Sequence, residues 1–116
     1  MSENKKTQIQ LKPLQRLMLL GILPKKGNII VLKLIKDMAL RIGLNRDEVE
    51  YYEIKPLPDG GINYDTDKIN EEKEFDFTRS EMKIIKDSFI QKSEKDELLM
   101  EHIEIYDKFM GDDDED

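Results

Sequence analysis

The stretch Leu11-Lys-Pro-Leu-Gln-Arg-Leu-Met-Leu-Leu-Gly-Ile-Leu-Pro24 and the run from Ile29 to Ile42 are the two densest apolar segments of this chain. One proline stands near the start of the first segment and another closes it. This pattern is typical of a helix that has proline in its first turn and stops before the next proline. The segment Lys25-Lys-Gly-Asn28, which contains two lysines, connects the two segments. The sequence thus predicts two consecutive apolar helices.

The first helix is predicted from Pro13 to about Leu23. It has little polar face, because only Gln15 and Arg16 interrupt its apolar side chains. A helix that is apolar on nearly every side is buried or lies at an interface. We therefore include two of its leucines in a candidate interface, namely Leu19 and Leu20.

The second helix is predicted from residue 29 to residue 42, with Asn28 as its N-cap and Gly43 at its end. Winding these residues at 100° each gathers a core face and leaves a charged stripe opposite. Three apolar residues fall near that stripe, where the core of one small domain does not need them: Ile29, Ile30 and Leu40. Either a neighbouring element covers them or they contact another protein.

The turn between the two helices is a candidate anion-binding site. Lys25 and Lys26 supply charge, Gly27 is free to adopt a positive φ, and the amides after Asn28 form the positive end of a helix dipole. The Gly-Lys-Ser/Thr ending of a phosphate loop is absent. A capped turn without a ligand explains the same four residues, so both interpretations stay open.

The net charge of −7 is unevenly distributed along the 116 residues. Residues 1–46 carry ten basic and two acidic side chains, whereas residues 47–116 carry nine basic and 24 acidic ones. Such halves are expected to attract each other, within one fold or between subunits. The terminal run Asp112-Asp-Asp-Glu-Asp116 repels itself and buries nothing. We expect one α+β domain over residues 1–110 and a disordered acidic tail over 111–116.

The rest of the chain predicts about five helices packed on a small antiparallel sheet that contains a β-hairpin, which is an α+β fold. Alternating apolar residues predict strands at Ile9–Leu11, at Phe75–Phe77 and on both sides of the turn Pro56-Leu-Pro-Asp-Gly-Gly61. Asn45–Glu48 and Thr78–Glu81 have the form of capping boxes that open two helices. The pattern of a strand followed by a helix occurs twice, and two such units side by side would pair their strands.

A last helix is predicted after Ser93-Glu-Lys-Asp96. Two adjoining apolar stripes run along it, wide enough to cover one side of a core. One stripe contains Leu99, Ile103, Tyr106 and Met110, and the other contains Leu98, His102, Ile105 and Phe109.

The sequence shows no catalytic motif, metal motif or nucleotide fingerprint. His102 stands near three glutamates, but their spacing does not gather enough ligands for a metal, and a packing histidine is the preferred interpretation. The segment from Asn63 to Glu74 imitates a calcium loop but has Lys68 where the sharp turn requires glycine. We therefore predict a non-enzymatic protein without a metal or another cofactor.

The absence of cysteine excludes disulfides and thiolate chemistry, which suits a reducing compartment. The polar start and the short first apolar run fit neither a signal peptide nor a membrane span. A soluble cytoplasmic protein with no membrane partner is expected.

Nucleic-acid binding is the alternative function. Three helices followed by a hairpin is the order of a winged helix, and the first 46 residues are basic. The candidate recognition helix, Asp47-Glu-Val-Glu-Tyr-Tyr-Glu53, is however acidic where phosphates would lie. We therefore favour a protein partner and keep a winged-helix-like regulator that uses the basic N-terminal half as the alternative.

The opening stretch resembles a pattern in small, functionally unassigned proteins of bacteriophages and prophages. The matching residues are Arg16-Leu17, Leu20, Ile22-Leu-Pro24 and Gly27-Asn28, followed by an apolar helix. A capped acidic helix and a last helix such as Leu99 to Phe109 continue the likeness. The resemblance implies a mobile-element origin and no particular activity.

These observations together predict a protein-interaction protein, encoded by a phage or another mobile element. It would bind itself, as a homo-oligomer, or another protein through the excess apolar surface of its first two helices. It would serve as a virion or assembly component, or as an acidic inhibitor of a host protein. Its expected location is the host cytoplasm or the virion.

Overall fold

The computed structural model describes residues 6–111, which form five α-helices and two short antiparallel ladders and confirm the α+β fold. Most of the predicted acidic tail lies outside the described residues. In chain order the elements are β1 (Thr7–Leu11), α1 (Pro13–Ile22), α2 (Ile29–Ile42), α3 (Arg46–Tyr51), β2 (Lys55–Pro56), β3 (Ile62–Asn63), β4 (Lys73–Phe77), α4 (Arg79–Glu94) and α5 (Ile103–Met110).

The main sheet pairs β1 with β4 in antiparallel register, with Ile9 opposite Phe75. In both strands alternate side chains point into the core, as the sequence pattern predicts for a half-buried strand. The two units of strand and helix therefore do lie side by side. The hairpin β2–β3 forms a separate ladder of two residue pairs, and Pro56 has no amide with which to extend it.

The hydrophobic core lies between this sheet and α1, α2, α4 and α5. Phe77 packs edge to face on Phe109, with ring centroids 5.5 Å apart. The fully buried apolar side chains come from all six elements: Leu11, Leu19, Met38, Ile42, Phe77, Ile85, Phe89 and Ile105. The exposed apolar residues of α2 have no place in this cluster.

The predicted N-terminal caps of α2, α3 and α4 are present. The Asn28 side chain accepts a hydrogen bond from the Val31 amide at 2.9 Å, and both capping boxes form. Gly27, which is free to adopt a positive φ, does not have one. Gly60 in the hairpin turn is the only glycine of residues 6–111 with positive φ. Gly43 is required for space instead, since a Cβ there would lie 2.8 Å from the Ala39 carbonyl oxygen.

The last helix begins later than predicted. Asp96, with a φ of 58°, takes the left-handed conformation that closes α4, and the Glu97 amide donates to the Lys92 carbonyl at 2.9 Å. Asp96 therefore ends one helix and does not cap the next. A 3₁₀ turn, Met100–His102, leads into α5, so that Leu98 and Leu99 precede it.

Arg16, on α1, is the largest fully buried side chain. Its Nε donates to the Ile42 carbonyl at 2.7 Å, and one terminal nitrogen donates to the Gly43 carbonyl at 3.0 Å. Both terminal nitrogens bind the Glu48 carboxylate at 2.9 Å. The guanidinium also lies 5.0 Å from the centroid of the Phe75 ring. One side chain thus joins α1 to the end of α2, the start of α3 and the sheet.

Arg41 repeats this arrangement at the second capping box. It binds the buried Glu81 carboxylate at 2.5 Å and the Asp76 carbonyl at 2.8 Å, and it lies 6.0 Å from the Phe77 ring centroid. In each case an arginine of the basic half binds the glutamate of a capping box in the acidic half. The opposite charges of the two halves therefore attract each other within one fold.

The Arg16–Glu48 pair predicts a specific pH dependence. Hydrogen bonds and charge from Arg16 lower the pKa of Glu48 from 4.5 to about 2. The ionised carboxylate therefore stabilises the fold fully above its unfolded pKa, and this contribution is lost as pH falls from about 4.5 towards 2. Glu48→Gln should reduce the free energy of unfolding by about 2–3 kcal/mol at pH 7, because it removes the negative charge that compensates the buried guanidinium.

Urea denaturation of Glu48→Gln and the parent protein at pH 7, 4 and 3 measures this effect, and the gap between the two should narrow with acid. Glu50→Gln on the exposed side of α3 is the matched control and should change stability by less than about 0.5 kcal/mol. A gap that is the same at all three pH values would contradict the assignment.

Candidate protein interface

Helix α1 directs its polar side chains into the molecule. The only polar residues within α1 are Gln15 and Arg16. Both are buried, whereas Leu17 is exposed. The Gln15 side-chain oxygen accepts from the Lys12 amide at 3.0 Å and from the Lys108 ammonium at 2.7 Å. These internal partners satisfy the polar groups of Gln15 and Arg16, and the side of the helix that carries Leu17 faces the surface.

The leucines of the candidate interface separate into two groups. Leu19 is fully buried in the core, so its inclusion in the interface is wrong. Leu20 is half-buried. The helical period explains the difference, because Leu19 lies on the same side of α1 as the inward-facing Gln15 and Arg16.

The α2 outer face, defined as Ile29, Ile30, Lys33, Lys36 and Leu40, is the most exposed apolar surface on a regular helix of the described chain. The two isoleucines are 64% and 71% exposed and Leu40 is 76% exposed. The two lysines between them are also exposed. Within residues 6–111 no neighbouring element covers these side chains, which decides against the first of the two alternatives left open by the sequence.

A groove of about 460 Å³ runs along the exposed side of α1, and we call it the α1 groove. Leu14, Leu17, Met18 and Gly21 line it from α1, and Ile62 reaches it from the hairpin. The opposite wall is the segment before α5, which contributes Glu97, Leu98, Glu101 and His102. Lys92 also lines the groove, which therefore combines an apolar floor with a rim of two glutamates and one lysine.

Gly21 marks an open point in this groove. A Cβ added there would meet no atom within 4 Å, so packing inside the molecule does not require glycine. Glycine in a helix is nevertheless less favourable than alanine by up to about 1 kcal/mol. An alanine at position 21 would fit and would favour the helix, so the stability of the isolated chain does not explain the glycine.

The basic turn lies beside a second hollow, of about 430 Å³, that Lys25 and Lys26 share with Lys92 and Lys95. This hollow adjoins the C-terminal ends of α1 and α4, where free carbonyls carry partial negative charge. Lys25 donates to the Leu20 carbonyl at 3.1 Å. The positive charge of Lys25 thus offsets the partial negative charge at the C-terminal end of α1.

The other two residues of the basic turn, Gly27 and Asn28, have structural roles. They do not line the hollow, and the Asn28 side chain is engaged with the Val31 amide. The contacts of the turn are those of a capped connection.

The remaining motifs also have local structural roles. The His102 Nδ1 accepts from the Leu99 amide at 2.8 Å and closes the 3₁₀ turn. In the calcium-like segment, one Asp65 oxygen accepts from the amides of Asp67 and Lys68 at 2.9 Å, and these bonds lower the pKa of Asp65. Within residues 6–111 no three His, Asp or Glu residues are grouped to hold a metal ion.

Comparison of the chain with protein-family models, curated proteins and solved structures found no match. No helix in the described part of the chain is both long enough and apolar enough to cross a bilayer. The evidence for function therefore comes from the surface itself.

A matched pair of substitutions separates the core from the α2 outer face. Leu19→Ala should lower the free energy of unfolding by about 2–5 kcal/mol, since it leaves a cavity in the core. Leu40→Ala removes the same atoms from an exposed helical position and should change the stability of the monomer by less than about 0.5 kcal/mol.

Chemical denaturation of both variants at low protein concentration measures these costs. Equal destabilisation by the two substitutions would show that Leu40 belongs to the core.

Proposed function

We propose that this chain is a non-enzymatic protein-interaction protein, encoded by a phage or another mobile element, whose α2 outer face binds a protein. The observation that carries the proposal is the exposure of Ile29, Ile30 and Leu40 on one helix whose inner residues, Met38 and Ile42, already complete the core. Ile29 and Ile30 are adjacent at the start of α2, and Leu40 lies about three turns further along, with the two lysines of this face between them. Exposed apolar side chains beside polar residues are typical of surfaces that contact another protein.

The charge around this surface favours one form of the proposal. An acidic inhibitor would present carboxylates to a basic host protein, whereas the α2 outer face presents Lys33 and Lys36 beside its apolar residues. We therefore favour the assembly component, in the host cytoplasm or the virion, over the inhibitor.

The nucleic-acid-binding alternative is supported by the four lysines near the end of α1. It is opposed by α3, which is six residues long, carries Asp47 and Glu50 on exposed positions and has Glu48 bound to Arg16. A helix with this charge repels the phosphates that a recognition helix must approach. Retention of duplex DNA on a filter at low salt and micromolar protein would favour the alternative.

Site-specific photo-crosslinking tests the proposed function. A benzophenone amino acid at position 40 should form a discrete light-dependent protein adduct, both in the concentrated purified protein and in cells that naturally carry the gene. The same amino acid at position 83, an exposed site on α4, is the control and should form none. Absence of any protein adduct from position 40 in both settings would sink the proposal.

A further inference from the structure

We propose that the α1 groove receives the α2 outer face of a second copy of this chain, so that copies join head to tail. This inference rests on the proposed function, because it names the partner of the same α2 outer face. It follows from the shape of the groove, from the charges on the two surfaces and from the arrangement of lysines on α2.

The α1 groove exposes apolar side chains. Arg16 and Gln15 direct the polar side of α1 inward and leave Leu17 exposed, with Leu14 and Met18 half-buried beside it. At Gly21 the floor is open. A glycine that packing inside the molecule does not require allows a partner's side chain or backbone to come close. The exposed isoleucines of α2 would pack against the apolar floor of this groove.

The charges on the two surfaces are complementary. The α2 outer face carries Lys33 and Lys36 between its apolar residues, whereas the rim of the α1 groove carries two glutamates, Glu97 and Glu101, and one lysine, Lys92. Glu97 already lies 3.6 Å from Lys92, so the exposed Glu101 is the rim carboxylate that is better placed to meet a lysine of the second copy. Complementary charges around apolar contacts fix the orientation of a partner and exclude alternatives.

The charges on α2 oppose the simplest symmetric pairing, α2 against α2. If two α2 helices packed antiparallel about a twofold axis near the middle of the helix, Lys33 and Lys36 of one copy would lie close to the same two lysines of the other copy. Asp37, the neighbouring acid, is engaged with Arg41 at 3.5 Å. Juxtaposed like charges at such a contact are costly. A contact between two different surfaces avoids this repulsion and propagates into a ring or an open chain.

Two variants test the head-to-tail contact. Lys33→Glu with Leu40→Glu disables the α2 outer face, and Gly21→Leu blocks the groove, where the new side chain meets open space. Sedimentation velocity should show concentration-dependent assemblies larger than a dimer for the parent protein. Each variant alone should remain monomeric at the concentrations at which the parent protein assembles. Its dissociation constant for self-association should be at least about tenfold higher.

The decisive sample is an equimolar mixture of the two variants. One variant retains an intact groove and the other an intact α2 outer face, so the mixture should form a one-to-one heterodimer and nothing larger. Lys83→Glu is the control for an exposed charge change and should assemble like the parent protein. Leu17→Lys provides a second blocked groove if Gly21→Leu does not fold.

Other outcomes overturn the inference. A blocked-groove variant that still dimerises, with no heterodimer in the mixture, would show symmetric α2 pairing. A parent protein that stays monomeric at high concentration, while position 40 crosslinks to a different protein in cells, would refute self-assembly and leave the proposed function standing. Loss of both self-assembly and every adduct from position 40 would refute the two proposals together.

Discussion

The bidentate contact between Arg16 and Glu48 is the interaction on which the rest of the structure depends. An arginine buried to this degree requires acceptors for its donors, and the carbonyls at the end of α2 and the capping-box carboxylate of α3 supply them. Because these partners lie inside the molecule, α1 must turn its polar side inward. The same rotation places Leu17 and Gly21 at the surface and so creates the α1 groove.

Local signals in the sequence predicted much of this fold. The bounds of α2, both capping boxes and the alternation of β1 and β4 depend on residues within a few positions of each other. The rotation of α1 was not predictable in that way, because it depends on a carboxylate 32 residues later in the chain. The burial of Leu19 was missed for the same reason. The late start of α5 follows from Asp96, whose left-handed conformation ends α4 and is uncommon among residues other than glycine, although aspartate adopts it more often than most.

The candidate site was predictable in part. Helical periodicity alone placed Ile29, Ile30 and Leu40 outside the core, and they are exposed. The α1 groove was not foreseen, although Gln15 and Arg16, isolated among apolar residues, were the signal that could have indicated inward-facing polar groups. Charge that is paired within the fold, as in Arg16–Glu48 and Arg41–Glu81, stabilises the monomer. The charges of the α2 outer face and of the groove rim remain at the surface, where they can select a partner.

The central claim is that the α2 outer face and the α1 groove contact each other between copies. Methyl-labelled isoleucine and leucine NMR spectra, recorded from low to high protein concentration, test this claim most directly. The account predicts that signals of Ile29, Ile30 and Leu40 shift together with those of Leu14 and Leu17, while those of the buried Leu19 and Ile42 stay constant. Spectra that do not change over the whole concentration range, or shifts confined to α2, would contradict it.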